Sequence, residues 1–425
     1  MPNTPRIAII GSGPSGCYLA QALLRGSPAA EITIFDRLPS PFGLIRYGVA
    51  ADHQHTKAIT RQFERLFTSP QVRFAGGVSV GRDISLDTIR AQFDIVALAT
   101  GLSLDRPLGV PGDDCAGVYG AGTITRTLNA HPGERPELPS FGPDVVLVGG
   151  GNVALDVLRF LVKDRAGYVE SDIADHALER YLAHPAERVT VLVRSSAAAM
   201  RSDPQMLREL AALPRANYRL HTPLPAADHE PDRTVDARLA ALVELTDPAR
   251  PAFSGPEVIL RFETVPSAVH CERGRVSSVA LEAQPGELPA TAVITAIGFS
   301  RDAAGPLAHL LSTDAEIGRI QPGLYRTGWA KRGPRGAIPE NRSCAKNVAD
   351  EILSDLESGE VVPSASRLGF AGLPEQLQLG SVSYAQWVQL DEHERRIAPE
   401  GRIRRKLPDH DHMLTIAKGD AAPSA

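Results

Sequence analysis

The chain has 425 residues, 43% of them hydrophobic and 22% charged, with a formal net charge of -5; this is the balance of a globular protein too long for one ordinary core, and two domains are expected. The charge argues against nonspecific nucleic-acid binding, and no apolar run is long enough to cross a bilayer. Cys17, Cys115, Cys271 and Cys344 lie far apart with no C-x-x-C pair, which argues against a zinc site, an iron–sulfur cluster and a redox-active disulfide, so each is read as a packed small residue and no metal is expected.

The first strand-like run, Arg6 to Ile10, begins so near Met1 that a leader peptide finds no room before it, and a cytoplasmic protein is expected. Strand, tight turn, helix and strand then follow: Ile7–Ile10, Gly11-Ser12-Gly13-Pro14-Ser15-Gly16, Tyr18–Leu24 and Ile32–Phe35. In such a G-x-G-x-x-G turn, Gly11 makes the turn, Gly13 lets backbone approach a pyrophosphate, and Gly16 lets helix and strand pack closely. The phosphates sit on the helix N-terminus, where unpaired N–H groups favour negative charge. Asp36, at the end of the next strand, is placed to accept hydrogen bonds from a ribose and disfavours a 2'-phosphate, so this turn suits FAD or NAD. A glycine-rich turn without a ligand is the bland alternative, and the correct placing of strand, helix and acid weighs against it.

Ile95 to Thr100-Gly101 reads as a buried parallel strand leading out of a domain. Pro107–Pro111 and His131–Pro143 read as linkers and surface loops, and the chain is expected to cross into a second domain near Arg106. There, Val145–Val148 runs into Gly149-Gly150-Gly151-Asn152-Val153-Ala154, a looser GxGxxA turn, and a helix through Leu161. The next strand, Val189–Val193, ends at Arg194-Ser195-Ser196 with no carboxylate; an arginine there suits a 2'-phosphate and favours NADP over NAD. The Pro-, Asp- and Ala-rich stretch 226–256 is expected to be a surface excursion without chemistry. Ala292 to Ile297-Gly298 reads as another exiting strand, with return to the first domain near Gly323. The strongest signal follows, a run from Gly323 to Ile338 whose glycines let backbone approach a ligand and whose Trp329 offers a flat face for a ring system. After Gly369 come short pieces, Val382–Leu390 and Ile403–Ile416, and a tail from Ala417 expected to be disordered.

These residues resemble the adrenodoxin reductase-like ferredoxin-NADP reductases. The resemblance rests on IGSGPSG with Tyr18, PFGLIRYGVAADH (41–53), LDRPLGVPG (104–112), GGGNVALDVLRFL (149–161), SDIADHAL (171–178) and GWAKRGPRGAI (328–338), spread over roughly four fifths of the chain. It implies an α/β protein of two Rossmann-like (ββα three-layer) dinucleotide-binding domains, the second inserted into the first: 1–105 plus 324–425 for FAD and 106–323 for NAD(P). Carried over, FAD meets Ser15, Asp36, Leu44 and Val80, then Trp329 and the backbone of Gly336, Ala337 and Ile338. NADP meets Arg106, Asn152, Val153, Arg194 and Glu209, with Gly336 near the nicotinamide. His53 and Asp156 match the family's polar pair near the flavin, with His53 either a proton relay or a structural histidine. Two departures stand out. The family's Arg-Arg-Gly run reads Val193-Arg194-Ser195 here, the loss of a charge-assisted contact of roughly 1.5–3 kcal/mol, which opens dual use of NADPH and NADH. The family's IGTN reads Ile338-Pro339-Glu340-Asn341, a proline and a carboxylate near the expected flavin.

The resemblance implies a reductase passing electrons from NADPH, or NADH, through FAD to an acidic ferredoxin-type iron–sulfur protein, with a cytochrome P450 as one candidate final acceptor. Arg159, Lys163, Arg165, Arg201 and Arg208, or the run Arg402–Lys406, are candidates for docking the acidic partner, against the plain alternative of a solvated surface. The two departures motivate a second reading, a flavoenzyme acting directly on a small biosynthetic metabolite as oxidase or monooxygenase. A third, a non-catalytic flavin-bearing subunit, is weakened by the intact second turn and Arg194.

Overall fold

The apolar run Arg6–Ile10 forms the first strand, β1, whose last four residues are all buried, as in a parallel strand covered on both faces. The computed structural model describes residues 4–224, 232–282, 286–312, 314–336 and 338–419. After β1 the chain forms α1 (Pro14–Gly26), β2 (Glu31–Phe35), β3 (Val72–Ala75) and β4 (Ile95–Leu98). It continues through β5 (Val118–Gly120), β6 (Asp144–Val148), α2 (Asn152–Val162), β7 (Arg188–Val193), α3 (Pro204–Ala212), β8 (Asn217–Leu220), β9 (Glu257–Phe262) and β10 (Ala292–Thr295). Then come β11 (Arg319–Gln321), β12 (Leu324–Arg326) and α4 (Ile338–Glu357), followed by helices over Glu375–Gly380, Tyr384–Arg396 and His410–Lys418.

Two compact units divide the chain, one of residues 1–104, 129–133 and 299–425, the other of 105–128 and 134–298. In the first, the sheet order is β11-β12-β4-β1-β2-β3, parallel except for β11. Its two faces bury separate apolar clusters, one including Ile7, Ile9, Leu19, Phe63 and Ile352, the other Ala8, Phe35, Val96 and Leu98. In the second, the order is β5-β10-β6-β7-β9-β8, parallel throughout, with a small antiparallel sheet of Pro266–Glu272, Arg275–Leu281 and Glu287–Pro289 beside it. In each main sheet the strand before the glycine turn, β1 or β6, has its successors on both sides, so the turn opens at the carboxyl end where the strand order reverses.

The sequence expected the return at 323/324, and the structure puts it at 298/299. Leu307, Leu310, Leu311 and Ile320 pack on the first unit's core, and Gly323, with φ +76°, is the turn between the antiparallel β11 and β12 rather than a crossing. The expected loop at His131–Pro143 also hides a return. Asn129–Gly133 belong to the first unit, where the Asn129 side-chain oxygen accepts from Lys57 Nζ (2.6 Å) and Lys406 Nζ (2.7 Å), and the His131 ring meets Tyr47 edge-on. In the stretch read as an excursion, 226–231 lie outside the described residues, but Arg233–Leu245 is a helix capped by Asp232. Its weak periodicity concealed four buried residues, Arg238, Ala241, Leu242 and Leu245. Of the expected tail, 420–425 lie outside the described residues.

Two of the cysteines also differ from expectation. Cys17 and Cys344 are free and buried, but Cys115 and Cys271 form a disulfide. A backbone hydrogen bond from Val269 to Pro111 draws the two segments together, and a pair separated by 156 residues leaves no local spacing to read.

Candidate nucleotide-binding sites

In the first unit, Gly11 has φ +113°, and a Cβ there would lie 2.4 Å from the carbonyl oxygen of Ala99. A Cβ on Gly16 would lie 2.0 Å from the carbonyl oxygen of Gly11. Both positions therefore demand glycine for the fold itself. Gly13 is different. It is the N-cap of α1, no side chain caps the helix, and a Cβ there would meet nothing within 4 Å. That open space above uncapped N–H groups is what a phosphate needs. Pro14, at the first helical position, removes an N–H that would have no partner in any case.

Several segments converge on this turn. Phe42 donates its N–H to Ser12 O (3.1 Å), and Gly43, with φ +44°, approaches Gly13 closely enough that a Cβ would lie 3.2 Å from its Cα; Leu44 follows at the start of a short helix. Ser15 Oγ donates to Asn341 Oδ1 (3.0 Å), which also accepts from Arg332 Nη2 (2.8 Å). Gly328, with φ +63°, lies so close to Ser15 that a Cβ would overlap its hydroxyl. Trp329 packs on Phe299 with ring centroids 5.3 Å apart and donates Nε1–H to Gly336 O at 3.4 Å. The run from Gly328 to Ile338 is thus folded onto the first turn, with Ile338 against the core; Ala337 lies outside the described residues. Pro339 is the second residue of α4, where its missing N–H would have no helical partner; this departure from IGTN is compatible with the helix start.

Asp36 is engaged from within. Its Oδ2 accepts from the Ser12 N–H (3.0 Å) and hydroxyl, and its Oδ1 from Leu38 N–H (3.0 Å). Ser12, fully buried, was not singled out in the sequence because the x of G-x-G carries no motif signal. Cys17 Sγ donates to Ser12 O (3.2 Å), and burial, then the charge of Asp36, push its thiol well above the ordinary range. Val80 lies in the apolar cluster with Phe35, Val78 and Ile84. His53, half-buried, stands at the N-cap position of the short helix Gln54–Lys57 without a capping side-chain bond, and donates its backbone N–H to Ala50 O (3.0 Å).

The second unit repeats the plan with looser sterics. Gly149, with φ +139°, could not bear a Cβ, which would lie 2.4 Å from Ala296 O. Gly151 is the uncapped N-cap of α2, with nothing within 4 Å of a Cβ. Ala154 takes the third place and is buried. Asn152 Oδ1 accepts from the N–H of Asp203, the N-cap of α3, at 2.8 Å; Val153 beside it is half-buried. Glu209, on α3, and Asp156, on α2, are ion-paired to the same residue, Arg159 (2.8 and 3.1 Å). Arg194, at the end of β7, is exposed, as is Arg106, whose N–H donates to Gly298 O (3.0 Å).

The structure relocates the first departure. Val193 is 2% exposed, and a Cβ on Gly150 would lie 2.7 Å from its side chain. Position 193 faces the core, where a guanidinium could not reach solvent. The solvent-facing positions at this strand end are Arg194, exposed, and Ser195 and Ser196, half-buried. Two docking candidates are corrected as well. Arg159 is 4% exposed and bound to two carboxylates, and Lys406 is buried, donating to Asn129 and to Arg46 O (3.0 Å). Neither can meet a partner, whereas Arg165, Arg201, Arg208 and Arg405 are exposed and Arg402 is half-buried.

Among the described residues no group of His, Cys, Asp or Glu could hold a metal ion, and no helix is long and apolar enough to cross a membrane. Residues 5–213 match the family model described as pyridine nucleotide-disulphide oxidoreductase. The chain is 39% identical to the cindoxin reductase of Citrobacter braakii, over 97% of this chain and 91% of that protein. It is 32% identical to the mitochondrial NADPH:adrenodoxin oxidoreductase of Arabidopsis thaliana, over 97% of this chain and 95% of that one. The solved structure of Mycobacterium tuberculosis FprA in complex with NADPH superposes with a TM-score of 0.87 at 29% identity, covering 99% of this chain and all of that one. With its α/β fold of parallel sheets and this likeness along nearly its whole length, the chain belongs to the adrenodoxin reductase-like ferredoxin-NADP reductases, a family of flavoprotein oxidoreductases.

Proposed function

We propose that the protein is an FAD-dependent reductase that takes electrons from NADPH and delivers them to a ferredoxin-type iron–sulfur protein, built from two Rossmann-like dinucleotide-binding domains, the second inserted into the first. The observation that carries this reading is the pair of open, uncapped helix N-termini at Gly13 and Gly151, each at the carboxyl end of the central strand of its own parallel sheet. The residues fit the two cofactors there. Ser15, Leu44, Val80, Trp329, Gly336, Ala337 and Ile338, with Asp36 toward the ribose, would hold FAD; Arg106, Asn152, Val153, Arg194 and Glu209 would hold NADPH.

When bound, FAD supplies the conversion between a two-electron donor and a one-electron carrier. The protein's own groups bind and orient. Asp36, already fixed by Ser12 and Leu38, presents a carboxylate whose position needs no rearrangement. Trp329 offers a half-buried flat face anchored by Phe299. Arg194 presents its guanidinium to solvent for a 2'-phosphate, which favours NADPH, while the serines after it leave NADH as a weaker second donor. A part in proton transfer for His53, and one for Asp156, belong to the same proposal, as do a cytoplasmic location and a cytochrome P450 supplied by the iron–sulfur carrier. The alternative of a metabolite oxidase loses part of its motive, because Pro339 suits the start of α4.

Anaerobic titration of the purified protein with NADPH and with NADH, followed by flavin absorbance, tests the reading. NADPH should bleach the flavin fully, NADH more slowly, and a ferredoxin should reoxidise it while becoming reduced. No bleaching by either coenzyme overturns the proposal.

A further inference from the structure

Arg159, set aside above as a docking residue, is buried and pairs with two of the second unit's candidate site residues. Asn152, Asp156 and Arg159 stand at positions i, i+4 and i+7 of α2, one stripe of that helix, and all three are engaged. Asn152 accepts from the N-cap of α3, Arg159 Nη2 donates to Asp156 Oδ1 at 3.1 Å, and Arg159 Nη1 donates to Glu209 Oε2, on α3, at 2.8 Å. The Arg159 side chain is 5% exposed, while that of Glu209 is 39% exposed and that of Asp156 19%. A buried cation thus holds two partly exposed carboxylates by separate nitrogens, and α2 and α3 are joined both at the glycine turn and two helical turns further on.

We infer that Arg159 is a positioning residue for the nicotinamide cofactor: it sets Glu209 and Asp156 together, so that one buried guanidinium fixes the acidic side of the site whose cationic side is Arg194. The inference rests on reading the second unit as the NADPH domain. The chemistry explains why arginine is used. Its planar fork serves two carboxylates at once, which the point charge of a lysine cannot do with the same geometry. Without it, both carboxylates lose the cation they share.

The test is NADP+ binding by calorimetry to the flavin-loaded enzyme, alongside steady-state kinetics with NADPH. R159Q should raise the NADP+ dissociation constant and the KM for NADPH tenfold or more, R159K should recover part of this, and reduction of the flavin by dithionite should be unchanged. The cycle with E209Q should be strongly non-additive: once Arg159 is gone, removing the Glu209 charge costs little more or even restores affinity. Should R159Q not accumulate folded, R159K and its cycle with E209Q carry the same comparison. A folded variant whose NADP+ dissociation constant stays within about twofold of the parent, or additivity in the cycle, overturns the role of Arg159 alone. A parent enzyme that binds no NADP+ overturns it together with the reading of the second unit.

Discussion

At the first glycine turn the third small residue has no room for a side chain, since a Cβ on Gly16 would meet the Gly11 carbonyl at 2.0 Å; at the second, Ala154 carries one and is buried. The strand ends differ in the same sense. Asp36 turns back to the Ser12 N–H and hydroxyl, whereas Arg194 points outward from β7. The first turn is fixed by its own contacts before any ligand arrives, as suits a cofactor that stays bound. The second leaves its charged group facing solvent, as suits a coenzyme that comes and goes. On the proposed reading, the shared motif serves shared phosphate chemistry, and the differences match a cofactor that stays at the first turn and a coenzyme that leaves the second.

The sharpest way to break this comparison is at the third position. Gly16→Ala should destabilise the first unit by roughly 3 kcal/mol, because the clash is with backbone that cannot move aside, and the purified protein should lack flavin; normal flavin content and an unshifted thermal melt would remove the steric half of the contrast. Gly13→Ala should behave oppositely. With nothing within 4 Å of the new methyl, the flavin-free protein should lose no more than about 1 kcal/mol, while flavin affinity falls on the order of tenfold or more. Equal flavin binding by Gly13→Ala and the parent, measured by fluorescence titration of the apoprotein, would show that the phosphate does not approach this backbone.

Much of this was legible in the sequence. Both turns, the strands around them and the acid and arginine at the strand ends follow from local periodicity and from glycines that only particular backbone geometry requires. The contacts that assemble the sites were not. Ser15 meets Asn341, 326 residues away, and Arg159 meets Glu209 from a different helix; such pairs are created by tertiary packing and have no spacing to read. The return at 298/299 was missed because the glycine at 323 marks a hairpin as readily as a linker. The inward face of Val193 was missed because the last residue of a buried strand can point either way, and only the packing against Gly150 decides it.

The electrostatic half of the comparison is tested at β7. Arg194→Ala should remove a charge-assisted contact worth roughly 1.5–3 kcal/mol, lowering kcat/KM for NADPH ten- to hundredfold and leaving NADH nearly untouched. Ser195→Arg should move preference the other way, toward NADPH, if the missing family cation belongs on the solvent side. An unchanged ratio of the two coenzymes in both variants would take the 2'-phosphate away from this strand end.

The smallest effect should come from making the turns more alike. Ala154→Gly places a glycine inside α2 and removes a buried methyl, which should cost about 1 kcal/mol in stability to urea. Coenzyme affinity should not change, because Ala154 lies under the turn and the open face is at Gly151. A gain in NADP+ affinity instead would mean that the alanine holds the second turn back from its ligand, so that residence at the two sites is set by the packing of the third residue as well as by the outward charge at the strand end.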